Sequence, residues 1–283
     1  TRACRVSPAS AAIEASASMP PLTIGPIGAA DAASVVIWGD SHAAVLGEPL
    51  ASRLATHGVG IRMLTLAGCP PVTGWINPEK PEFVICEDHN RRMYDYLLTD
   101  PAVKVVILHA YWNEGIQRLD YDNGVGDRKQ DVGHVSTLGD AENEPDEIRF
   151  SHLADSLTAE MQALKAAGKQ VIVVGPVPEP GFDVMDRVAK QIWASGGLAQ
   201  PLTIPTKAAL DYAAPARAIL TGAADEAGAT WIDPAPFFCT EGGDCALTTA
   251  DTSLYFDDSH LAILGAERLV PQLEAAVLGA LGP

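Results

Sequence analysis

Ser34-Val35-Val36-Ile37-Trp38-Gly39-Asp40-Ser41-His42 is the stretch that decides the fold of this chain. Its short run of apolar, mostly β-branched residues predicts a buried strand at 34–38, after which Gly39 lets the backbone turn sharply. A helix is then expected over about 42–56, with Ser41 at the junction of strand and helix. Because N–H groups at a helix N-terminus stabilise negative charge, an oxyanion forming beside Ser41 would be stabilised.

A second cluster, Asp257-Asp258-Ser259-His260, lies near the other end of the chain. Together with Ser41 it supplies the serine, histidine and carboxylate that acyl transfer needs, in the order Ser…Asp…His that α/β hydrolytic sites use. Each motif also has a purely structural interpretation. Ser41 could cap its helix, and Asp258 or Ser259 could cap a last helix with His260 in its first turn. The combination of both motifs favours catalysis.

The composition describes a globular protein with one sizeable core. The chain has 283 residues, of which 47% are hydrophobic and 19% charged. The formal net charge of −17 argues against nucleic acid or an anionic membrane surface as a partner. The sequence has no apolar run of about 18 residues to span a bilayer, and the first thirty residues do not have the pattern of a signal peptide.

Strands and helices alternate along the chain, which predicts a parallel sheet with helices on both faces. Four further strands are expected at 61–64, 103–108, 170–174 and 229–232. Further helices are expected at about 87–98, 149–167, 206–227 and 259–278. Ligands of such sheets bind beyond the carboxyl ends of the strands, where Ser41, Gly68, Asn113 and the second cluster all fall.

Two segments fall outside this alternation. Residues 1–33 are rich in Ala, Ser and Pro without a sustained period, which indicates a linker or extended arm before a single domain at 34–283. An acidic, aperiodic insertion near 117–148 is longer than a compact fold needs.

The cysteines indicate disulfides. Cys239 and Cys245 flank a Gly-Gly turn, Cys69 and Cys86 bracket a proline-rich loop, and a disulfide can close either separation. Neither pair has the spacing of a zinc site, so no metal is expected. Cys4 is left over, either to pair outside this chain or to remain a free thiol.

Several blocks of the sequence match a known family in the family's order. They are 35–42 (VVIWGDSH), 67–71 (AGCPP), 166–178 (AAGKQVIVVGPVP), the cysteine pair before 255–261 (YFDDSHL), and Gly265-Ala266. Over about residues 34–275 the chain resembles the SGNH (GDSL-like) hydrolases. It is most similar to the extracytoplasmic SGNH domain attached to integral-membrane acyltransferase-3 proteins that O-acetylate bacterial polysaccharides. The resemblance implies a flavodoxin-like three-layer αβα sandwich with about five parallel strands.

The resemblance also implies a role for each site residue. Ser41 would be the nucleophile, His260 the general base and Asp257 the carboxylate that orients it. The backbone N–H groups of Ser41 and Gly68 would contribute to an oxyanion hole.

The third block departs from the family pattern. A typical member has G-x-N-D, whereas this chain has Ala110-Tyr111-Trp112-Asn113-Glu114. Either Asn113 supplies the oxyanion donor from one position later, or Trp112 holds that place and the donor is lost.

Two other motifs are expected to be structural. His42 follows the nucleophile directly and is predicted to line the pocket or support it, because it cannot easily reach the Ser41 hydroxyl. Residues 120–124 (DYDNG) faintly resemble a calcium loop but lack its closing glutamate. No cofactor is expected.

The predicted function is an O-acyltransferase, above all for acetyl, that modifies hydroxyls of a cell-envelope or exported glycan. By the resemblance, the acyl donor would be supplied through an integral-membrane acyltransferase in the full-length protein, with this domain held outside the cytoplasm. Two alternatives stay open: an SGNH-type esterase acting on carbohydrate or lipid, and a catalytically idle glycan-binding domain.

Overall fold

Apolar runs form the strands of a central sheet, as the sequence predicts. The computed structural model of the chain describes residues 23–24, 33–76, 83–116, 121–126, 128–129, 137–138, 144–196 and 200–282. The strands are β1 (Thr23–Ile24), β2 (Val35–Gly39), β3 (Ile61–Thr65), β4 (Trp75–Ile76), β5 (Val105–His109), β6 (Tyr121–Asp122), β7 (Arg128–Lys129), β8 (Thr137–Leu138), β9 (Gln170–Val174), β10 (Thr203–Pro205), β11 (Thr230–Ile232) and β12 (Asp244–Ala246).

The central sheet contains five parallel strands in the order β3-β2-β5-β9-β11. Counted along the chain this order is 2-1-3-4-5, the flavodoxin-like arrangement. β1 extends the sheet as an antiparallel strand beside β3. The carboxyl ends of β2, β3 and β5 lie level, because Gly39 is paired with both Thr65 and His109. The predicted fold class is confirmed.

Helices cover both faces of this sheet. They are α1 (Ser41–Ala55), α2 (Phe83–Thr99), α3 (Trp112–Ile116), α4 (Asp146–Ala166), α5 (Val184–Ser195), α6 (Thr206–Ala227) and α7 (Ile263–Leu281). Leu50 of α1 and Leu269 of α7 belong to the core on one face. Leu97 of α2, Leu157 of α4 and Leu220 of α6 belong to the core on the other. The layers are therefore helix, sheet and helix.

The helix α5 was not predicted from the sequence, since no predicted element falls between residues 174 and 206. Its first turn is capped by Asp183, whose side chain accepts a hydrogen bond from the Asp186 N–H at 2.8 Å. It ends at Gly196, which adopts a left-handed φ of 77°. These two signals, a capping Asp and a closing glycine, are present in the sequence and predict such a helix.

Two predicted segments lie largely outside the described residues. Of the expected linker at 1–33, β1 pairs with β3. Of the insertion near 117–148, β8 pairs with β4, and the buried Tyr121 donates its hydroxyl to the carbonyl oxygen of Glu179. Across the part of the chain that the structure describes, no helix is both long and apolar enough to cross a membrane.

Candidate active site

Ser41 is the first residue of α1, just beyond the carboxyl end of β2. Gly39 makes this junction possible, since a Cβ placed on it would lie 1.7 Å from the carbonyl oxygen of His109 in β5. A larger residue would force the two strands apart. The end of the strand and its glycine therefore fix the point at which Ser41 leaves the sheet.

Asp40 caps the helix that Ser41 begins. Its Oδ1 accepts the N–H of His42 and its Oδ2 accepts the N–H of Tyr111, both at 2.8 Å. Burial raises the pKa of Asp40 to about 6, although both N–H groups act to lower it. Asp40 is not among the site residues predicted from the sequence. Its position just before a helix, where carboxylates cap well, is the signal that indicates one.

His260 lies in a loop before α7, because the side chain of Asp257 shapes the backbone there. Asp257 Oδ1 accepts the N–H groups of Ser259 at 2.9 Å and of His260 at 2.7 Å. The N–H of Phe256 donates to the carbonyl oxygen of His260 and closes the turn. The expectation of a last helix starting at Ser259, capped by Asp258 or Ser259, is wrong, since α7 begins three residues after His260.

The fold brings Ser41, His260 and Asp257 into one hydrogen-bonded series. His260 Nε2 lies 2.8 Å from Ser41 Oγ, and His260 Nδ1 lies 2.8 Å from Asp257 Oδ2. With the ring proton on Nδ1, the imidazole donates to the carboxylate and accepts from the serine hydroxyl. This is the geometry of a nucleophile, a base and an orienting carboxylate.

Asp257 is held as a carboxylate by its hydrogen bonds. Burial alone would raise its pKa, but the N–H groups of His260 and Ser259 and the His260 ring together keep the pKa below its ordinary value. A carboxylate that stays ionised stabilises positive charge on the imidazole next to it. The side chains of Asp257 and His260 are 30% and 27% exposed, so solvent and ligands reach them.

His42 packs beneath the imidazole of His260. The two rings are stacked with centroids 4.2 Å apart, and the other face of His42 stacks on Tyr111 at 4.5 Å. His42 is buried. This is the kind of supporting contact that the sequence analysis expects of His42.

The three groups predicted for an oxyanion hole have different surroundings. The N–H of Ser41 belongs to the first turn of α1, whose N–H groups have no acceptor within the helix. Gly68 adopts a left-handed φ of 69° in the turn after β3. Asn113 is buried, and its Nδ2 donates to Glu179 Oε1 at 2.7 Å. The role of these groups stays a prediction.

The third block is anchored to neighbouring backbone and to Glu179. Trp112 donates its indole N–H to the carbonyl oxygen of Val174 at 2.9 Å. Tyr111 donates its hydroxyl to Glu179 Oε2 at 2.7 Å. Burial, and then the Glu179 carboxylate, raise the pKa of Tyr111 well above its ordinary range. Glu179 was missed by the sequence analysis, because nothing in its local sequence indicates that it is buried beside this block.

Both predicted disulfides are confirmed. Cys69 is bonded to Cys86, and Cys239 to Cys245. The first lies directly after Gly68 and ties the turn following β3 to α2. Disulfides are typical of proteins in oxidising compartments. Cys4 lies outside the described residues.

A cleft of about 710 Å³ opens beside the serine. Ser41, Asp257 and His260 line it, and the rest of the lining comes from α1, from Thr252, Ser253 and Phe256, and from residues 261–264. Pockets of this size hold small-molecule ligands. A ligand bound in the cleft is in contact with the serine and the imidazole.

A known structure shares this fold. The periplasmic domain of a lipopolysaccharide acetyltransferase from Salmonella ser. Paratyphi A matches with a TM-score of 0.60 at 16% identity, over 87% of this chain and 84% of that one. A GDSL-like lipase from Bacteroides thetaiotaomicron matches with a TM-score of 0.44 at 12% identity, over 95% of this chain and 97% of that one. Among curated proteins, no sequence matches the chain.

The sequence also matches one protein family along nearly its whole length. The family is described as the SGNH domain (fused to AT3 domains), and the match covers residues 4–275. That family is one of enzymes of the SGNH type, which transfer acyl groups or cleave esters. A match of this extent shows that the chain belongs to the family of SGNH domains fused to AT3 domains.

Proposed function

We propose that this chain is an O-acyltransferase domain, which carries an acyl group such as acetyl on Ser41 and passes it to a hydroxyl of a cell-envelope or exported glycan. The observation that carries the proposal is the series from Asp257 through His260 to Ser41, with 2.8 Å at both junctions. Nucleophilic acyl transfer needs this arrangement, because a serine hydroxyl attacks only when a base accepts its proton.

In the first half-reaction, Ser41 Oγ attacks the carbonyl carbon of the donor and passes its proton to His260 Nε2. Asp257 stabilises the imidazolium that forms. In this proposal the N–H groups of Ser41 and Gly68 stabilise the negative charge on the carbonyl oxygen, and Asn113 is the third predicted donor. The intermediate then collapses, the bond to the donor breaks, and His260 returns the proton to the leaving group.

In the second half-reaction, a glycan hydroxyl attacks the acyl-serine while His260 takes its proton. When the bond to Ser41 Oγ breaks, the serine recovers the proton and the acyl group is left on the sugar. Water in place of the sugar hydroxyl would give hydrolysis instead.

Two observations support a partner in the membrane. The family is described as fused to AT3 domains, and a structural relative is the periplasmic domain of a lipopolysaccharide acetyltransferase. The two disulfides suit a position outside the cytoplasm. In this proposal the full-length protein tethers the domain to the membrane, and a membrane acyltransferase supplies the acyl group.

The second candidate is an esterase, and the accessibility of the site favours it. The side chains of Asp257 and His260 are 30% and 27% exposed, so water can enter and compete with a sugar hydroxyl. Both candidates use the same first half-reaction and differ only in what attacks the acyl-serine.

The experiment measures cleavage of p-nitrophenyl acetate by the wild type and by Ser41→Ala. We expect the variant to lose about 10³-fold or more of kcat/KM, because no other group can take the place of the nucleophile. Ser195→Ala, which changes a serine on α5 remote in sequence from the site, is the matched control and should keep wild-type turnover. Wild-type turnover in Ser41→Ala would overturn the proposal.

Transfer and hydrolysis are then separated with a glycan acceptor. The domain is given an activated acetyl ester together with a deacetylated polysaccharide, and mass spectrometry detects acetylated sugar. Serine-dependent product on the sugar supports the transferase. Release of acetate alone, at all acceptor concentrations, supports the esterase.

A further inference from the structure

Glu179 is a buried carboxylate that the proposed reaction does not use. It lies in the loop of residues 175–183, between β9 and α5, and is only 2% exposed. Its Oε2 accepts the hydroxyl of Tyr111 and its Oε1 accepts the Nδ2 amide of Asn113, both at 2.7 Å. Taking a carboxylate out of water is costly even when such donors compensate it. A buried acid this close to the catalytic residues therefore requires an explanation.

Tyr111 connects this carboxylate to the general base through a stack of three aromatic rings. The Tyr111 ring lies on one face of the His42 ring, with centroids 4.5 Å apart and planes 20° apart. The His260 imidazole stacks on His42 as well, with centroids 4.2 Å apart and planes 29° apart. The stack therefore leads from the buried acid to the imidazole at the cleft.

The stack restricts a motion of His260 that its hydrogen bonds leave open. The imidazole is bonded at its two nitrogens, by Nε2 to Ser41 Oγ and by Nδ1 to Asp257 Oδ2. A ring held at two edge atoms can still tilt about the line that joins them, whereas contact on its face opposes the tilt. Hydrogen bonds weaken steeply as they bend, so a tilted ring accepts the serine proton less well.

The loop that carries Glu179 is also bonded to the segment that carries His260. The hydroxyl of the buried Tyr255 donates to the carbonyl oxygen of Pro178 at 2.6 Å. The N–H of Val184 donates to the carbonyl oxygen of Asp257 at 3.3 Å. Residues on both sides of Glu179 thus contact the chain that leads to the base, in addition to the route through the rings.

We propose that Glu179 is a positioning residue for His260. Its hydrogen bond to the Tyr111 hydroxyl fixes the ring stack on which the imidazole lies, and so keeps His260 Nε2 directed at Ser41 Oγ. The bond from Asn113 pairs the second carboxylate oxygen and stops the carboxylate from turning away from Tyr111. Glu179 transfers no proton and does not touch the substrate. The inference rests on the proposed function, because it concerns the base of the same reaction.

The first test is Tyr111→Phe, with kcat and KM for p-nitrophenyl acetate measured per folded molecule. The variant keeps the ring and removes only the hydroxyl, so it should fold. We expect kcat to fall by about tenfold or more, as for the loss of a hydrogen bond to a charged group. KM should stay within about twofold, because neither Tyr111 nor Glu179 lines the cleft.

Glu179→Ala and Glu179→Gln test the carboxylate itself. Alanine keeps neither hydrogen bond, so kcat should fall by about tenfold or more. Glutamine can accept the Asn113 amide and donate to the Tyr111 hydroxyl, which accepts as well as donates, so kcat should stay within about threefold of wild type. Tyr111→Phe combined with Glu179→Ala should lose no more kcat than Glu179→Ala alone, because both changes remove the same bond.

Lys169→Ala is the matched control for the loss of a buried charged side chain. Lys169 precedes β9, at the amino end of the strand and thus at the edge of the sheet away from the site. Its Nζ donates to the carbonyl oxygens of Asp100 and Val103. Lys169→Ala should lower the melting temperature and leave kcat per folded molecule at the wild-type value.

The outcomes separate this inference from the proposed function. Wild-type kcat in Tyr111→Phe, with cleavage still dependent on Ser41, would overturn the positioning role and leave the acyltransferase standing. An equal fall of kcat in Lys169→Ala would overturn it too, since any buried loss would then act alike. If Glu179→Ala does not fold, Tyr111→Phe and Glu179→Gln decide the matter. A wild type that cleaves no ester through Ser41 would overturn the proposed function, and the positioning role with it.

Discussion

The two sides of the site are positioned in different ways. Ser41 is placed by regular structure, since β2 ends and α1 begins within two residues of it. His260 is placed by a loop whose shape depends on one side chain, because Asp257 accepts the N–H groups of Ser259 and His260. The position of Ser41 is therefore fixed by the sheet, whereas the position of His260 depends on the hydrogen bonds within its own loop.

An aspartate organises each side, but the two carboxylates have different environments. Asp40 is 3% exposed and binds two backbone N–H groups. Asp257 also binds two, and its second oxygen binds the ring of His260. Burial raises the pKa of Asp40, whereas hydrogen bonds hold that of Asp257 below its ordinary value. Asp40 is expected to affect mainly stability, and Asp257 mainly activity.

The largest effect is expected from Gly39→Ala on the serine side. The new methyl group would lie 1.7 Å from the carbonyl oxygen of His109, inside a strand that is paired on both sides. We expect a loss of more than about 4 kcal/mol in the free energy of unfolding, or no folded protein. Denaturant unfolding of the wild type and the variant would measure this loss of free energy.

Gly265→Ala is the matched variant on the histidine side. Its methyl group would lie 2.0 Å from the carbonyl oxygen of Leu254, but that residue lies between β12 and α7, outside the helices and strands, where a shift disrupts less regular structure. We expect a smaller loss of about 1–3 kcal/mol, with a reduced kcat because the shift reaches His260. Equal losses in the two variants would contradict the contrast between a rigid side and a loop side.

Asp257→Asn is expected to have the next largest effect, and on activity. The remaining carbonyl oxygen can still accept the two backbone N–H groups and keep the loop, but the new NH₂ group faces His260 Nδ1. The ring then loses its orienting carboxylate, and kcat should fall by about 10⁴-fold with little change in melting temperature. Ester cleavage measures the fall in kcat, and thermal unfolding measures the change in melting temperature. An Asp257→Asn variant with a clearly lower melting temperature but wild-type activity per folded molecule would show that Asp257 only stabilises the loop.

This contrast also explains how much the sequence could predict. The apolar run before Gly39 predicts a strand at 34–38 and a helix from 42, and the structure has Val35–Gly39 and Ser41–Ala55. Such patterns are reliable because burial of a strand and capping of a helix depend on neighbouring residues. The parallel sheet followed from the alternation of strands and helices, and the flavodoxin-like architecture followed from the family resemblance.

The loop before α7 could not be predicted in the same way. Asp257, Asp258 and Ser259 are good helix caps, and an Asp that accepts N–H groups two and three residues later has the same sequence signature whether or not a helix follows. The outcome is decided by contacts distant in sequence, such as that between the Val184 N–H and the Asp257 carbonyl oxygen. The burial of Glu179 beside Asn113 depends on such contacts as well.

The smallest effect we expect is a change in folding stability with pH that is caused by titration of Asp40. Its pKa is about 6 in the folded protein against 3.8 ordinarily, so the folded state holds this proton more tightly than the unfolded state. The stabilisation is complete below about pH 4 and is lost as pH rises through 6, and it amounts to at most about 3 kcal/mol. Asp40→Asn cannot titrate, although its carbonyl oxygen can still cap His42. The stability of the wild type relative to this variant should therefore be greater at pH 4 than at pH 7.5, as denaturant unfolding at both values would measure.

Glu114 and His260 act on the pKa of Asp40 in opposite directions, so the difference in stability reports mainly the burial of the carboxyl group. A difference between wild type and variant that does not change with pH would mean that Asp40 is solvated like a surface carboxylate, and the contrast with Asp257 would fail.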